Sequence, residues 1–498
     1  MKYLNSKITF TITITFLLLS LFPSFGKIVY PWRAVPAFAE QNKGFVILFN
    51  NTTYSDIDSV ILSGPFNRVL LKIDSISTGR FTYDLFTKED VNNKIWVRVP
   101  ESTPEELYDL KVFSHGEVSI SRKSVKVLKE FKSPHFFIHI SDTHVSRQWE
   151  GTGEAGYAKE LELLDKFIEV ANIINPDFTI VTGDIIHHYS RLDADSLGWG
   201  GNKLYEADQR PLVEEKYRNY FEGSKGFSGV QALNGPVFSL PGNHDSYGVS
   251  RKDHLAMARQ WNALCGKRVY GFSYGQTRVL AADDYLGDPV VDIPDASPMS
   301  GLQGKILDSF LIENGPGTVR IMAQHRPDRI DTSFLDKRKI NILLNGHRHN
   351  PHHEYVGSTP TLSIRPGTVC RSGEIERWKE NLGFFRIFYI NGDQFEFTSP
   401  LRFCEDPTAP HEELKLNLTL DFKQDNNGTN SRNEATIENH FSVDLPRCKV
   451  RFVMGKANYH IDGGVIQQII HTDDKTIVDV LTDVQSKSIK RINIYPEQ

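Results

Sequence analysis

Cysteine is scarce in this chain: Cys265, Cys370, Cys404 and Cys448 are the four among 498 residues, and no Cys-x-x-Cys pair occurs. That argues against a disulfide scaffold and against a thiolate metal site, although an oxidising compartment would permit one or two bridges among the four. An excess of one charge is also missing. Lys plus Arg number 57 against 62 for Asp plus Glu, a net charge of -5, so bulk attraction to nucleic acid or anionic membranes is not expected. Beyond the first residues there is no long apolar run, internal repeat or low-complexity tract, which excludes a polytopic membrane protein and a fibrous repeat. What is present, 39% hydrophobic and 24% charged residues, is the balance of a folded globular protein, and the length suits about three domains.

At the start, Lys2 and Lys7 precede an apolar run from Ile8 to Phe22, followed by Pro23 and the small-residue pattern Ser24-Phe25-Gly26. This is the layout of a secretory signal peptide. The run is short for a membrane span and carries Thr9, Thr11, Thr13 and Thr15, so cleavage after Gly26 is expected, with a periplasmic or secreted mature chain and no remaining span.

From Lys27 to Phe131 short strands alternate with turns: Phe45 to Phe49, Ser59 to Leu62, Val69 to Ile73, Lys94 to Val99, Leu107 to Phe113 and Val125 to Leu128. Such spacing predicts a small β-sandwich. The stretch VPESTPEELYDLKV within it resembles an edge of bacterial immunoglobulin-like domains. From Lys132 the rhythm changes. Apolar strands Phe136 to Ile140, Phe178 to Val181, Val237 to Leu240, Val319 to Ala323 and Ile340 to Leu344 are separated by helical or loop stretches, of which Ala158 to Ile174 has apolar residues at helical spacing. This is an α/β pattern. After Pro400 strands return, with Leu414, Leu416, Leu418, Leu420 and Phe422 alternating with polar residues, then Val450 to Met454, Thr476 to Leu481 and Arg491 to Ile494. The expected division is a signal peptide 1–26, a β-sandwich 27–131, an α/β domain 132–400 and a second β-sandwich 401–498, with Pro400, Pro407 and Pro410 marking the last linker.

Five motifs follow apolar strands of the middle domain directly: Asp142-Thr143-His144, Gly183-Asp184, Gly242-Asn243-His244-Asp245, His325, and Gly346-His347-Arg348-His349. Any one of them is commonly a turn or a helix cap. Together they supply Asp142, Asp184, Asn243, His144, His325, His347 and His349, an oxygen and imidazole set that suits Mn, Fe, Co or Zn better than Mg or Ca. Two divalent ions about 4 Å apart need a shared carboxylate and roughly three further ligands each, which seven residues provide.

In this order and at strand ends, the motifs resemble the calcineurin-like metallophosphoesterase family. The resemblance implies a four-layer α/β/β/α sandwich, here flanked by two immunoglobulin-like β-sandwiches, holding two transition-metal ions. One ion would be held by Asp142, His144, Asp184 and His349, and the other by Asp184, Asn243, His325 and His347, with Asp184 bridging. His244 would face substrate and donate a proton to the leaving group, while Asp245 either orients His244 or closes the turn after Asn243. Purple acid phosphatases carry Tyr three residues after the Gly-Asp aspartate, where this chain has His187, so Tyr–Fe(III) coordination is not expected. The Asp-x-His motif is more similar to that of class III cyclic-nucleotide phosphodiesterases and related exported phosphoesterases.

Arg326 and Arg348 neighbour the ligands and are either phosphate clamps or surface charges. His187, His188, Tyr189 and Arg191 open a long insertion and read as solvated loop residues, with contact to substrate as the alternative; His254, His352 and His353 read as structural or exposed. The expected activity is hydrolysis of phosphoesters, diesters slightly ahead of monoesters, with the β-domains framing the cleft or attaching the protein to a surface or glycan. The alternatives are a broad phosphomonoesterase and a secreted binding protein that has lost catalysis.

Overall fold

In a computed structural model the chain is described over residues 26–51, 57–145, 155–186, 206–245, 256–284, 301–369 and 379–497. The proposed signal peptide, apart from Gly26, and Cys370 lie outside these residues. Among the described residues no helix is long and apolar enough to cross a membrane.

Two six-stranded sheets pack face to face in the middle of the chain. One runs Val237–Leu240, Phe178–Thr182, His135–Ile140, Phe384–Asn391, Gln394–Phe397, with Leu401–Arg402 pairing on Phe384–Asn391. The other runs Tyr270–Tyr274, Thr277–Ala281, Val319–Ala323, Ile342–Leu344, Thr361–Arg365, His352–Val356. Their inner faces form one apolar core that includes Phe137, Ile180, Leu240, Val279, Ile321, Leu344, Ile364 and Phe388. The outer face of the first sheet, through Ile138, Ile140 and Val181, packs on the helix Ala155–Ile174, where Leu161, Leu164, Ile168 and Ala171 form the buried stripe that the sequence spacing predicts. On the second sheet Leu280, Met322 and Leu343 pack on the helices Leu302–Asn314 and Thr332–Arg338 through Leu307, Phe334 and Leu335. The order is α/β/β/α. Its central strands are buried on both faces, which is why they read as continuous apolar runs.

Parallel register fixes where the motifs meet. Ile140 pairs with Val181, and Thr182 with Leu240; in the other sheet Ala281, Ala323, Leu344 and Ile364 lie side by side. All five motifs therefore leave the sandwich at the same end.

The N-terminal residues form a two-sheet sandwich around Ile47, Val60, Leu62, Ile95, Val97, Leu110, Val112 and Val125. The run Val69 to Ile73 is divided: Arg68–Leu70 joins one sheet, buried Leu71 crosses over, and Lys72–Asp84 joins the other. From this sandwich Phe38 reaches into the middle domain, its ring 5.1 Å from that of Tyr274 and 5.6 Å from that of Phe238. The last hundred residues form a second sandwich, and its core is continuous with the helix Ala155–Ile174. Two features differ from the sequence pattern there. The segment after Pro400 is packed, with Leu401, Phe403 and Cys404 buried. Of the alternating run only Leu418–Phe422 is a strand, because Leu414 and Leu418 turn inward to the helix while Leu416 makes one bridge to Cys404. Cys265, Cys404 and Cys448 are buried.

Candidate metal centre

Five of the seven proposed ligands have a left-handed backbone: Asp142 (φ 58°), His144 (47°), Asp184 (52°), His347 (70°) and His349 (54°). Such geometry costs about 1–3 kcal/mol per residue and persists where the surroundings over-determine it. Here main-chain hydrogen bonds do so. Asp142 N–H donates to Gly183 O at 3.1 Å, His144 N–H to Asp184 O at 2.8 Å and Val145 N–H to Ile185 O at 2.8 Å, locking the first two loops together. Gly183 (φ 83°) lies so close to the third loop that a Cβ would sit 2.7 Å from Gly242 N, and a Cβ on Gly346 would sit 2.6 Å from Asp142 Oδ2.

Each of the two aspartates has one oxygen fixed by a neighbouring loop and one oxygen left over. His347 N–H donates to Asp142 Oδ2 at 3.1 Å, and His244 N–H donates to Asp184 Oδ1 at 2.8 Å. Asp142 Oδ1 and Asp184 Oδ2 are buried with no hydrogen-bond partner among the described residues. Imidazole nitrogens surround them without the alignment of hydrogen bonds. His349 Nε2 is 3.1 Å and His144 Nε2 3.6 Å from Asp142 Oδ1; His325 Nε2 is 3.1 Å and His144 Nε2 3.6 Å from Asp184 Oδ2. Asn243 Oδ1 joins the second side, 3.0 Å from His325 Nε2 and 2.8 Å from His347 Nδ1.

Buried carboxylate oxygens without donors, converging with imidazole nitrogens, are expensive unless a cation completes them. Two groups of donor atoms could each hold an ion, Asp142, His144, Asp184 and His349 on one side and Asp184, His325 and His347 on the other, with Asp184 common to both. The residues fit a binuclear metal site.

The electrostatics carry the same signature. Burial works against charge on His325, but Asp184 beside it prevails and raises its imidazolium to about 10. Burial and the His325 charge push His347 down to about 4. Although burial opposes it, His349 and His144 hold Asp142 well below the usual carboxylate range.

All seven proposed ligands come together, and His244 lies among them, its ring 4.6 Å from that of His144 and its Nε2 3.9 Å from Asp184 Oδ2. Asp245 closes the turn: it accepts from Gly242 N–H (2.8 Å), Ile185 N–H (3.2 Å), Ile186 N–H (3.3 Å) and the Tyr217 hydroxyl (3.0 Å), tying the Asn243 loop to the Asp184 loop. Burial and the Asp184 charge lift its carboxyl to about 7 against those donors. Arg326 is paired with Asp328, its Nε 3.1 Å from Oδ1. Arg348 is exposed. His187, His188, Tyr189, Arg191 and His254 lie outside the described residues; His352 and His353 are exposed on an edge strand.

Three residues were not anticipated. Tyr217 sits in a helix and carries no motif. Asp284, buried with an unpartnered Oδ1, accepts the Arg326 N–H and follows the strand Thr277–Ala281, the same strand-end position as the other motifs. Thr182 is the third: its carbonyl accepts from His325 Nδ1 at 2.6 Å.

An α/β/β/α sandwich with a binuclear donor set at its strand ends defines a metal-dependent hydrolase. Residues 137–351 match the model of the calcineurin-like phosphoesterase family. Among solved structures, the chain is similar to a predicted phosphoesterase of Streptococcus pneumoniae (15% identity, 53% of this chain and 88% of that one, TM-score 0.23). It is also similar to GAP50, the anchor in the inner membrane complex of Plasmodium (11%, 57% and 93%, 0.30), and to the phosphopantetheinyl hydrolase of Mycobacterium tuberculosis (13%, 50% and 93%, 0.26). No curated protein sequence matches the chain.

Proposed function

We propose that this protein is an exported phosphoesterase working with two ions of Mn, Fe, Zn or Co, phosphodiesters slightly favoured over monoesters. The observation that carries the reading is the pair of buried, unpartnered oxygens Asp142 Oδ1 and Asp184 Oδ2 amid four histidines. Asp142, His144, Asp184 and His349 would hold one ion and Asp184, Asn243, His325 and His347 the other. When bound, such ions lower the pKa of water and neutralise charge developing on phosphoryl oxygens. The chain's own residues keep the donors aimed. His347 N–H and His244 N–H fix the rotation of the two carboxylates, and Asp245 ties the Asn243 loop to the Asp184 loop. His244, beside this cluster, is placed to hold a proton for the departing oxygen. Export is supported by Lys2, Lys7 and the apolar run to Phe22, and the diester preference by the Asp-x-His motif. The β-domains would frame the cleft or serve attachment.

A phosphoester panel on metal-analysed protein tests the reading. Close to two ions per chain, loss of turnover on chelation and faster release from bis-aryl than mono-aryl phosphates are expected; full activity after exhaustive chelation would overturn it. Asp184→Asn should lower metal content more than any other ligand change.

A further inference from the structure

Two arginines stand where neighbouring strands run out towards the proposed metal site, Arg365 at a strand end and Arg348 in a loop of proposed ligands. Arg365 ends the strand Thr361–Arg365 directly after Ile364, which pairs with Leu344; Arg348 lies beyond Leu344, between His347 and His349. Their surroundings are unusual. Arg365 is half-buried, and its Nε is buried with no hydrogen-bond partner. Among the described residues neither guanidinium makes an ion pair or a hydrogen bond, whereas Arg326 is held by Asp328 and Arg386 by the carbonyls of Arg365 and Thr398. The acids in reach are engaged elsewhere. Glu354 faces His352 at 3.8 Å, and Asp142 turns its Oδ2 to His347 N–H and its Oδ1 to the imidazoles of His349 and His144 at the proposed metal site. Burial lowers the Arg365 guanidinium from its ordinary value and Arg348 adds to the fall, against the pull of Glu354 and Asp142.

A half-buried cation with an idle donor, next to another cation and without a counter-ion, is destabilising in the free protein. A bound anion removes that cost, and the planar guanidinium fork suits phosphate or carboxylate. The scissile group does not account for it. A phosphodiester carries a single negative charge, which two divalent ions already exceed, so two further cations at the rim point to more negative charge on the ligand.

We propose that Arg348 and Arg365 form a receptor for a second anionic group, a phosphate or carboxylate carried by the substrate away from its scissile phosphoryl group. This rests on the phosphoesterase reading and narrows the substrate class to phosphoesters with two separate negative groups.

The test is calorimetric binding of two non-hydrolysable probes to the metal-loaded protein, 2-carboxyethylphosphonate and propylphosphonate, which share the phosphonate and differ in the second charge. The wild type should bind the carboxylate-bearing probe roughly ten- to a hundredfold more tightly, the range for a hydrogen bond to a charged group. Arg365→Ala and the exposed Arg348→Ala should each shrink that ratio towards one, and Arg365→Lys should restore part of it. Equal affinities in the wild type, binding of neither probe, or a ratio surviving in both alanine variants would overturn the receptor. Turnover is not needed. A protein that prefers the carboxylate-bearing probe yet cleaves no phosphoester counts against the phosphoesterase reading alone, and one that cleaves phosphoesters without the preference counts against the receptor alone.

Discussion

His325 Nδ1 lies 2.6 Å from the carbonyl oxygen of Thr182, an atom that can only accept, so Nδ1 carries a proton and Nε2 faces Asn243 and Asp184. Second partners of this kind fix the tautomer of a metal-ligating histidine. In the metal-free chain Nε2 is protonated too, since Asp184 holds the imidazolium up to about 10.

An ion entering that side must displace the Nε2 proton. Metal loading at pH 7 should therefore release protons, and affinity should climb by about tenfold per pH unit while His325 is the controlling group, levelling off as the pH passes its pKa. Titration calorimetry in buffers of different ionisation enthalpy reads the proton count; a count of zero would refute the assignment.

His244→Ala should retain both ions and lose activity steeply for alkyl-like leaving groups, by the ~100- to 10,000-fold of general acid catalysis, with activated aryl esters affected far less. The slope of rate against leaving-group pKa should steepen. Metal loss with uniform slowing of every ester would instead make His244 a support for its neighbours.

Asp245→Ala removes the carboxylate that accepts from three backbone N–H groups and the Tyr217 hydroxyl in a buried site. A loss of roughly 2–4 kcal/mol in denaturant unfolding is expected, with Tyr217→Phe costing about 1 kcal/mol. Equal stability of all three proteins would show that the loops are held by other contacts.

His135 makes the protein sensitive to acid. Burial pushes its imidazole down to about 4, so the folded state takes up this proton later than the unfolded state. Stability from this group is complete above about pH 6.5 and falls as the pH drops towards 4, by about 3 kcal/mol. His135→Gln should flatten the unfolding free energy across that window, and an unchanged slope would remove His135 as the cause.

The loops that carry the proposed ligands were legible because parallel strands buried on both faces leave uninterrupted apolar runs, such as Phe178 to Val181, and the polar motif begins where each run stops. Lys72–Asp84 was not legible: it is a sheet edge of mostly exposed polar residues with no burial pattern to read. The alternation from Leu414 to Phe422 was real, but it records burial against a helix along part of its length. The fixing of Asp245 by Tyr217, and the missing counter-ion of Arg365, are relations between distant segments that no local pattern contains.

Phe38 has one more consequence. Its ring belongs to the first sandwich by chain order and to the middle domain by packing, and its removal would leave a void costing about 3 kcal/mol. The segment 137–351 also ends before Phe388 and Ile390, which fill the same interior. A gene fragment trimmed to the family boundaries would encode a sandwich open at both seams. Recombination that swaps only that fragment between relatives would produce a damaged fold, so the catalytic segment must be inherited together with the residues on either side of it.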